Sequence, residues 1–136
     1  MLTVYVETTI PSYLAAFPSR DLVTAANQQI THEWWRTAHQ RFELAVSDAV
    51  VGEISAGDAA MAAKRLELVS NLRLLLLDDE VVRLVDFYKS RLGMPKKAES
   101  DLFHLAFAVR YSVDYLVAWN WVGHSPHRDT PRATIA

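Results

Sequence analysis

Cysteine is absent from this 136-residue chain. That excludes disulfides and thiolate chemistry and fits a reducing compartment. No apolar run approaches the roughly 20 residues needed to span a bilayer. The longest, around Leu74 to Leu77, has strand length, and no membrane partner is expected. An excess of basic charge is missing too. The formal net charge is −2, so the molecule as a whole does not attract nucleic acid by bulk electrostatics, which counts mildly against such a partner. The amino terminus has no basic region followed by an apolar stretch, because Glu7 interrupts it. A signal peptide is therefore not expected, and the expected address is cytoplasmic. Internal repeats and low-complexity stretches are also lacking.

What remains is ordinary globular composition, 51% hydrophobic and 22% charged. A chain of this length forms one domain that buries roughly two-thirds of its unfolded surface. Its most informative stretch is VYVETTIPSYL, Val4 to Leu14. Val4, Tyr5 and Val6 make a short β-prone run suited to a buried parallel strand. Glu7 ends it, Thr8 and Thr9 are candidate helix caps, and Pro11 sits where a first helical turn tolerates it.

A helix is expected from about Val23 to Phe42, with Thr31, Trp34, Trp35 and Ala38 near one face. Trp34-Trp35 reads as core or subunit interface in preference to a base-stacking platform. Phe42 to Val46 is the second strand, capped by Ser47 or Asp48 into a helix ending at Gly57. Asp58 opens another helix through Val69. Leu72 to Leu77 is the third strand, and Asp78-Asp79-Glu80 caps the helix Val81 to Leu92. After the break at Gly93-Met94-Pro95, a helix from near Lys96 carries Asp101, His104, Leu105 and Ala108 on one face. The last strand is Tyr115 to Trp119, terminated by Asn120. Four strands alternating with helices predict an α/β fold with a parallel, doubly wound sheet. Residues 121–136 read as an irregular tail behind a domain spanning 1–120.

In such sheets ligands bind at the carboxyl ends of strands, near the switch point. Glu7 follows strand one, Glu53 lies in the helix after strand two, and Asp101 is early in the helix leading to strand four. If strands one and four are neighbours, Asn120 reaches the same cleft. Clustered carboxylates repel, and a hard cation such as Mg²⁺ or Mn²⁺ removes that penalty and can activate water against a phosphodiester. Each residue also has a plainer reading. Glu7 could face solvent, Glu53 could pair with a basic side chain, and Asp101 could be a first-turn helix acid. His104 reads as a hydrogen-bonded core histidine, and Asn120 as a turn former.

The chain resembles the PIN-domain ribonucleases, in particular the toxin nucleases of type II (VapBC-like) toxin–antitoxin operons. The resemblance spans Leu2 to about Trp121. It rests on YVETTIPSYL (Tyr5 to Leu14), SDAVVGEI (Ser47 to Ile54), MPKKAESDLFHLAFA (Met94 to Ala108) and DYLVAWN (Asp114 to Asn120). It implies a PIN-like α/β/α sandwich with a parallel sheet of four or five strands and helices on both faces. It also implies a metal-dependent endoribonuclease, commonly a homodimer, silenced by a small antitoxin protein. On this likeness Glu7, Glu53 and Asp101 match the three acids of the family site, and Asn120 stands where many members carry a fourth. Thr8 or Thr9 matches the small polar residue that follows the first acid. One firmly held Mg²⁺ or Mn²⁺ is expected, any second ion arriving with RNA.

The tail departs from the pattern. His124 is offset by Trp121-Val122-Gly123, and no fifth strand is legible. Strand four is then an exposed edge unless the tail or another subunit covers it. For RNA, Lys96 and Lys97 are favoured, one turn before Asp101. Arg20, Lys64, Arg65, Arg128 and Arg132 read as solvated surface. The alternative reading is a catalytically impaired PIN-like domain that serves as a protein-binding module.

Overall fold

The computed structural model describes residues 1–93 and 98–119, and the backbone of 132–135. Five strands form one sheet in the order β3-β2-β1-β4-β5. The central strand β1 (Thr3–Val6) pairs in parallel with β2 (Glu43–Ser47) on one side and β4 (Tyr115–Ala118) on the other. β3 (Arg73–Leu75) adds in parallel beyond β2. Val4, Tyr5 and Val6 are all buried, as a strand covered on both faces requires.

Polar side chains start four of the helices between the strands, while among the described residues no side chain caps the helices at Thr9–Ala15 and Glu99–Arg110. Asp21 caps α2 (Leu22–Arg41), Ser47 caps α3 (Asp48–Ile54), Asp58 caps α4 (Ala59–Val69) and Asp78 caps α5 (Asp79–Leu92). Each accepts a hydrogen bond from a backbone N–H three residues on, at 2.9 to 3.3 Å. The Asp78 cluster is therefore a helix start, as the spacing predicts. Gly93 closes α5 in the left-handed region at φ 55°, where a Cβ would be strained. α1 (Thr9–Ala15) packs on α2 and α4, and α5 packs along α6 (Glu99–Arg110). Among the described residues no helix is long and apolar enough to cross a membrane.

Two strands differ from expectation. β3 is shorter than Leu72 to Leu77. The Tyr111 hydroxyl donates to the Leu76 carbonyl at 2.7 Å, and the Leu77 N–H donates to Asp48 Oδ2 at 2.6 Å. Those backbone groups are thus satisfied by side chains and leave the ladder. The tail, expected to hold no strand, contributes β5 (Arg132–Ile135), antiparallel to β4, with Tyr115 opposite Ile135 and Ala118 opposite Arg132. Four residues are too few to show a pattern, but the open side of β4 offers them unpaired donors and acceptors. β4 is consequently an inner strand. Helix α3 also stops earlier than Gly57, at Ile54 with Ser55 as cap.

Trp34 and Trp35 are half-buried against the core, with Trp35 edge-on to His39 at 4.9 Å. They behave as the core reading predicts. Arg65 donates to the Ile54 and Ala56 carbonyls at 3.0 and 2.7 Å, so it caps the end of α3. Lys64 lies over the Phe17 ring.

Candidate metal centre

β1 and β4 are neighbours, yet the chain visits β2 and β3 before returning to form β4. The switch point therefore lies at their carboxyl ends. Glu7 leaves β1 there, its N–H still bonded to the Val117 carbonyl at 3.1 Å. Alternation along the strand puts Tyr5 and Glu7 on the same face, and both reach His104 of α6.

The Tyr5 hydroxyl lies 2.6 Å from His104 Nδ1 and 2.6 Å from Ser47 Oγ. On the ring's other side, Nε2 is 2.7 Å from Glu53 Oε1 and 3.9 Å from Glu7 Oε1. His104 is fully buried. Nε2 has no aligned hydrogen bond, so Glu53 sits at hydrogen-bond distance but off the N–H direction, and the contact is chiefly electrostatic. Glu53 Oε1 also accepts from the Thr8 hydroxyl at 3.2 Å.

Glu7 is buried, and its Oε2 is clamped by the Thr9 N–H at 2.9 Å and the Thr9 hydroxyl at 2.5 Å. That hydroxyl accepts in turn from the Trp119 N–H at 2.8 Å. Thr9 thus ties the first acid to Trp119, just past the end of β4. Burial pushes the Glu7 carboxyl above the usual range, against the Thr9 hydrogen bonds and His104, with the Glu53 charge adding to the rise. Burial acts on Glu53 in the same direction, but the close contact and charge of His104, helped by the Thr8 hydrogen bond, outweigh it and hold Glu53 low. Two acids in one pit are driven apart.

The Glu7 shift has a signed consequence. A folded pKa above the unfolded one means the native state binds more protons, so stability falls as pH rises through the window between them. In EDTA, Glu7→Gln is expected to melt with wild type below the ordinary carboxylate range and progressively above it toward neutral pH. Thermal melts across pH 3 to 8 check this. A melting difference independent of pH counts against it.

Of the expected site residues, Glu7 and Glu53 come together. Asp101 is half-buried in the first turn of α6, three residues before His104. Asn120, Lys96, Lys97 and Arg128 lie outside the described residues, as do the Arg132 side chain and the Trp121 to His124 segment. Among the described residues no group of three or more His, Asp or Glu side chains is arranged to hold a metal ion. The donor chemistry still fits a hard divalent cation. Two carboxylates converge within 3.9 Å of one imidazole nitrogen, and Mg²⁺ usually takes one or two carboxylates and completes its shell with water and substrate phosphate. His104 is the buried, hydrogen-bonded histidine that the sequence suggests; what sequence reasoning missed is its contact with the two acids and the part of Tyr5 and Ser47 beside it. The available signal was the i, i+2 pairing of Tyr5 with Glu7 on one strand face.

No protein-family model and no curated protein sequence matches the chain. In structure it is similar to a chain in the crystal structure of VapBC2 from Rickettsia felis bound to a DNA fragment from their promoter. The TM-score is 0.64 and the identity 13%, over 88% of this chain and 89% of that one. At that identity the likeness is one of fold, a PIN-like α/β/α sandwich with a parallel core sheet.

Proposed function

We propose that this protein is a divalent-metal-dependent endoribonuclease of the toxin type, restrained by a small antitoxin protein. The observation that carries the reading is the convergence of Glu7 and Glu53 at the carboxyl ends of a parallel PIN-like sheet. The fold-level similarity to a VapBC2 chain supports it. Glu7, Glu53 and Asp101 would hold Mg²⁺ or Mn²⁺, with Asn120 as an outer or weak ligand. A divalent ion there supplies Lewis acidity for phosphodiester hydrolysis.

The chain's own residues prepare the site. Thr9 holds Glu7 toward the cleft and Thr8 steadies Glu53. Lys96 and Lys97, preceding α6, would meet the RNA backbone. Water would be the nucleophile, so no covalent enzyme intermediate would form. A homodimer in the cytoplasm completes the proposal.

Purified protein is expected to cleave single-stranded RNA with Mn²⁺ or Mg²⁺, and to lose that activity in EDTA and on Asp101→Asn. Cleavage that persists unchanged in EDTA overturns the reading. Calorimetry that finds no Mn²⁺ binding to wild type favours the protein-binding module instead.

A further inference from the structure

A closed polar circuit lies beneath the two acids. Ser47 Oγ accepts from the Val50 N–H at 3.3 Å as the α3 cap and meets the Tyr5 hydroxyl. Tyr5, on β1, meets His104 Nδ1, with the two rings edge to face at 5.6 Å. His104, on α6, faces Glu53, which returns the circuit to α3. β1, the end of β2, α3 and α6 are thereby linked around one imidazole that no solvent reaches.

A histidine kept only for packing could be satisfied at Nδ1 and face apolar side chains with its other nitrogen. Here Nε2 lies 2.7 and 3.9 Å from two carboxylate oxygens instead, close enough for their charges to act on it. An imidazole lone pair set 2.7 Å from an ionised carboxylate would be repelled, so Nε2 carries the proton. Two arrangements satisfy the rest of the circuit. Either Tyr5 donates to a neutral ring's Nδ1, or a charged ring donates to Tyr5, which then donates to Ser47. Both leave the proton on Nε2, the nitrogen that lies 2.7 Å from Glu53 Oε1 and 3.9 Å from Glu7 Oε1. A carboxylate offers about four lone-pair sites, so a donor on one oxygen leaves the others for a cation.

We propose that His104 is a positioning residue: its Nε2–H, braced by Tyr5 and Ser47, sets the placement of Glu53 against Glu7 and so preorganises the cation site. This rests on the nuclease reading above. It departs from the expectation that His104 is simply a core histidine, and it gives that buried group a role through the acids it touches. Hydrogen-bond partners of ligating carboxylates typically govern metal affinity by about 10–100-fold.

The test compares two core-filling substitutions in the full chain, His104→Gln and His104→Leu, with Tyr5→Phe as a third variant. Folding is checked by circular dichroism melts. Mn²⁺ affinity is measured by calorimetry without RNA, and kcat and KM are measured separately with RNA. Leucine is expected to weaken Mn²⁺ binding about 10–100-fold and to lower kcat with KM for RNA unchanged. Glutamine, which keeps an N–H donor near the Nε2 position, should restore most of that loss, and Tyr5→Phe should fall between.

Nitrogen-resolved NMR of wild type at one neutral pH should find a protonated Nε2, and it decides the matter alone if the leucine variant fails to fold. Mn²⁺ binding by folded His104→Leu that equals or exceeds wild type overturns the proposal, as does an unprotonated Nε2. Absence of Mn²⁺ binding in wild type overturns the nuclease reading, leaving the nitrogen spectrum to judge the positioning of the acids.

Discussion

Glu53→Gln is expected to lower kcat for RNA cleavage by about 10²–10³-fold, the equivalent of several kcal/mol of lost charge stabilisation at the metal. The substitution keeps the side chain's shape and an oxygen able to accept from Thr8 and face His104, so geometry is largely preserved. What disappears is one negative charge. The effect therefore isolates the carboxylate as cation ligand from the carboxylate as a structural partner.

Stability should change little, within about 1 kcal/mol, because the Glu53 side chain is 38% exposed and its pairing is screened by solvent. Removing its charge also relieves one of the influences that raise Glu7. Mn²⁺ calorimetry, RNA cleavage and a thermal melt of the same preparation check all three statements. Near-wild-type cleavage by the folded variant would remove Glu53 from the site and leave the proposal without its central pair.

The second large effect is on stability. Trp119→Ala should destabilise the fold by about 3–5 kcal/mol, the usual range for truncating a buried tryptophan. Trp119 is 2% exposed, lies edge-on to Tyr13 at 5.6 Å, and donates its indole N–H to Thr31 Oγ1 at 3.0 Å. Alanine leaves a cavity between β4 and the α1–α2 pair and strips Thr31 of that donor.

Against a typical total of about 5–15 kcal/mol, such a loss brings the protein close to unfolding. Trp119→Phe should cost less, since an aromatic ring still fills the space. Urea unfolding followed by circular dichroism separates the variants by their midpoints. A loss under about 1 kcal/mol for alanine would mean the site collapses without a cavity. Activity should suffer as well if the backbone at 119 shifts toward the cavity, because its N–H anchors the Thr9 hydroxyl that clamps Glu7.

Much of the architecture was legible from local chemistry. Short β-prone runs at Val4–Val6 and Leu44–Val46 stood before cap residues, and Ser47, Asp58 and Asp78 each open a helix as their spacing predicts. The alternation of strands and helices implied a parallel sheet, whereas the adjacency of β1 and β4 stood only as a condition until the strand pairing met it. Other features were less readable. β5 is four residues long and acquires its conformation from the free edge of β4, so nothing within its own residues announces it. β3 ends early because Tyr111 and Asp48, 35 and 29 residues distant, claim its next backbone groups.

The role of His104 shows the division most clearly. By itself the sequence determined that acids stand just past strand ends, since the residue types that stop a strand and begin a helix are local. It likewise placed Asp101 and His104 on one face of a helix. Only the tertiary structure decided that a ring on α6 would lie between an acid from β1 and an acid from α3, with Tyr5 and Ser47 bracing it from below. The reason is range: capping and periodicity act over three or four residues, whereas the separation of 99 positions from Tyr5 to His104 is closed only by packing helices onto the sheet.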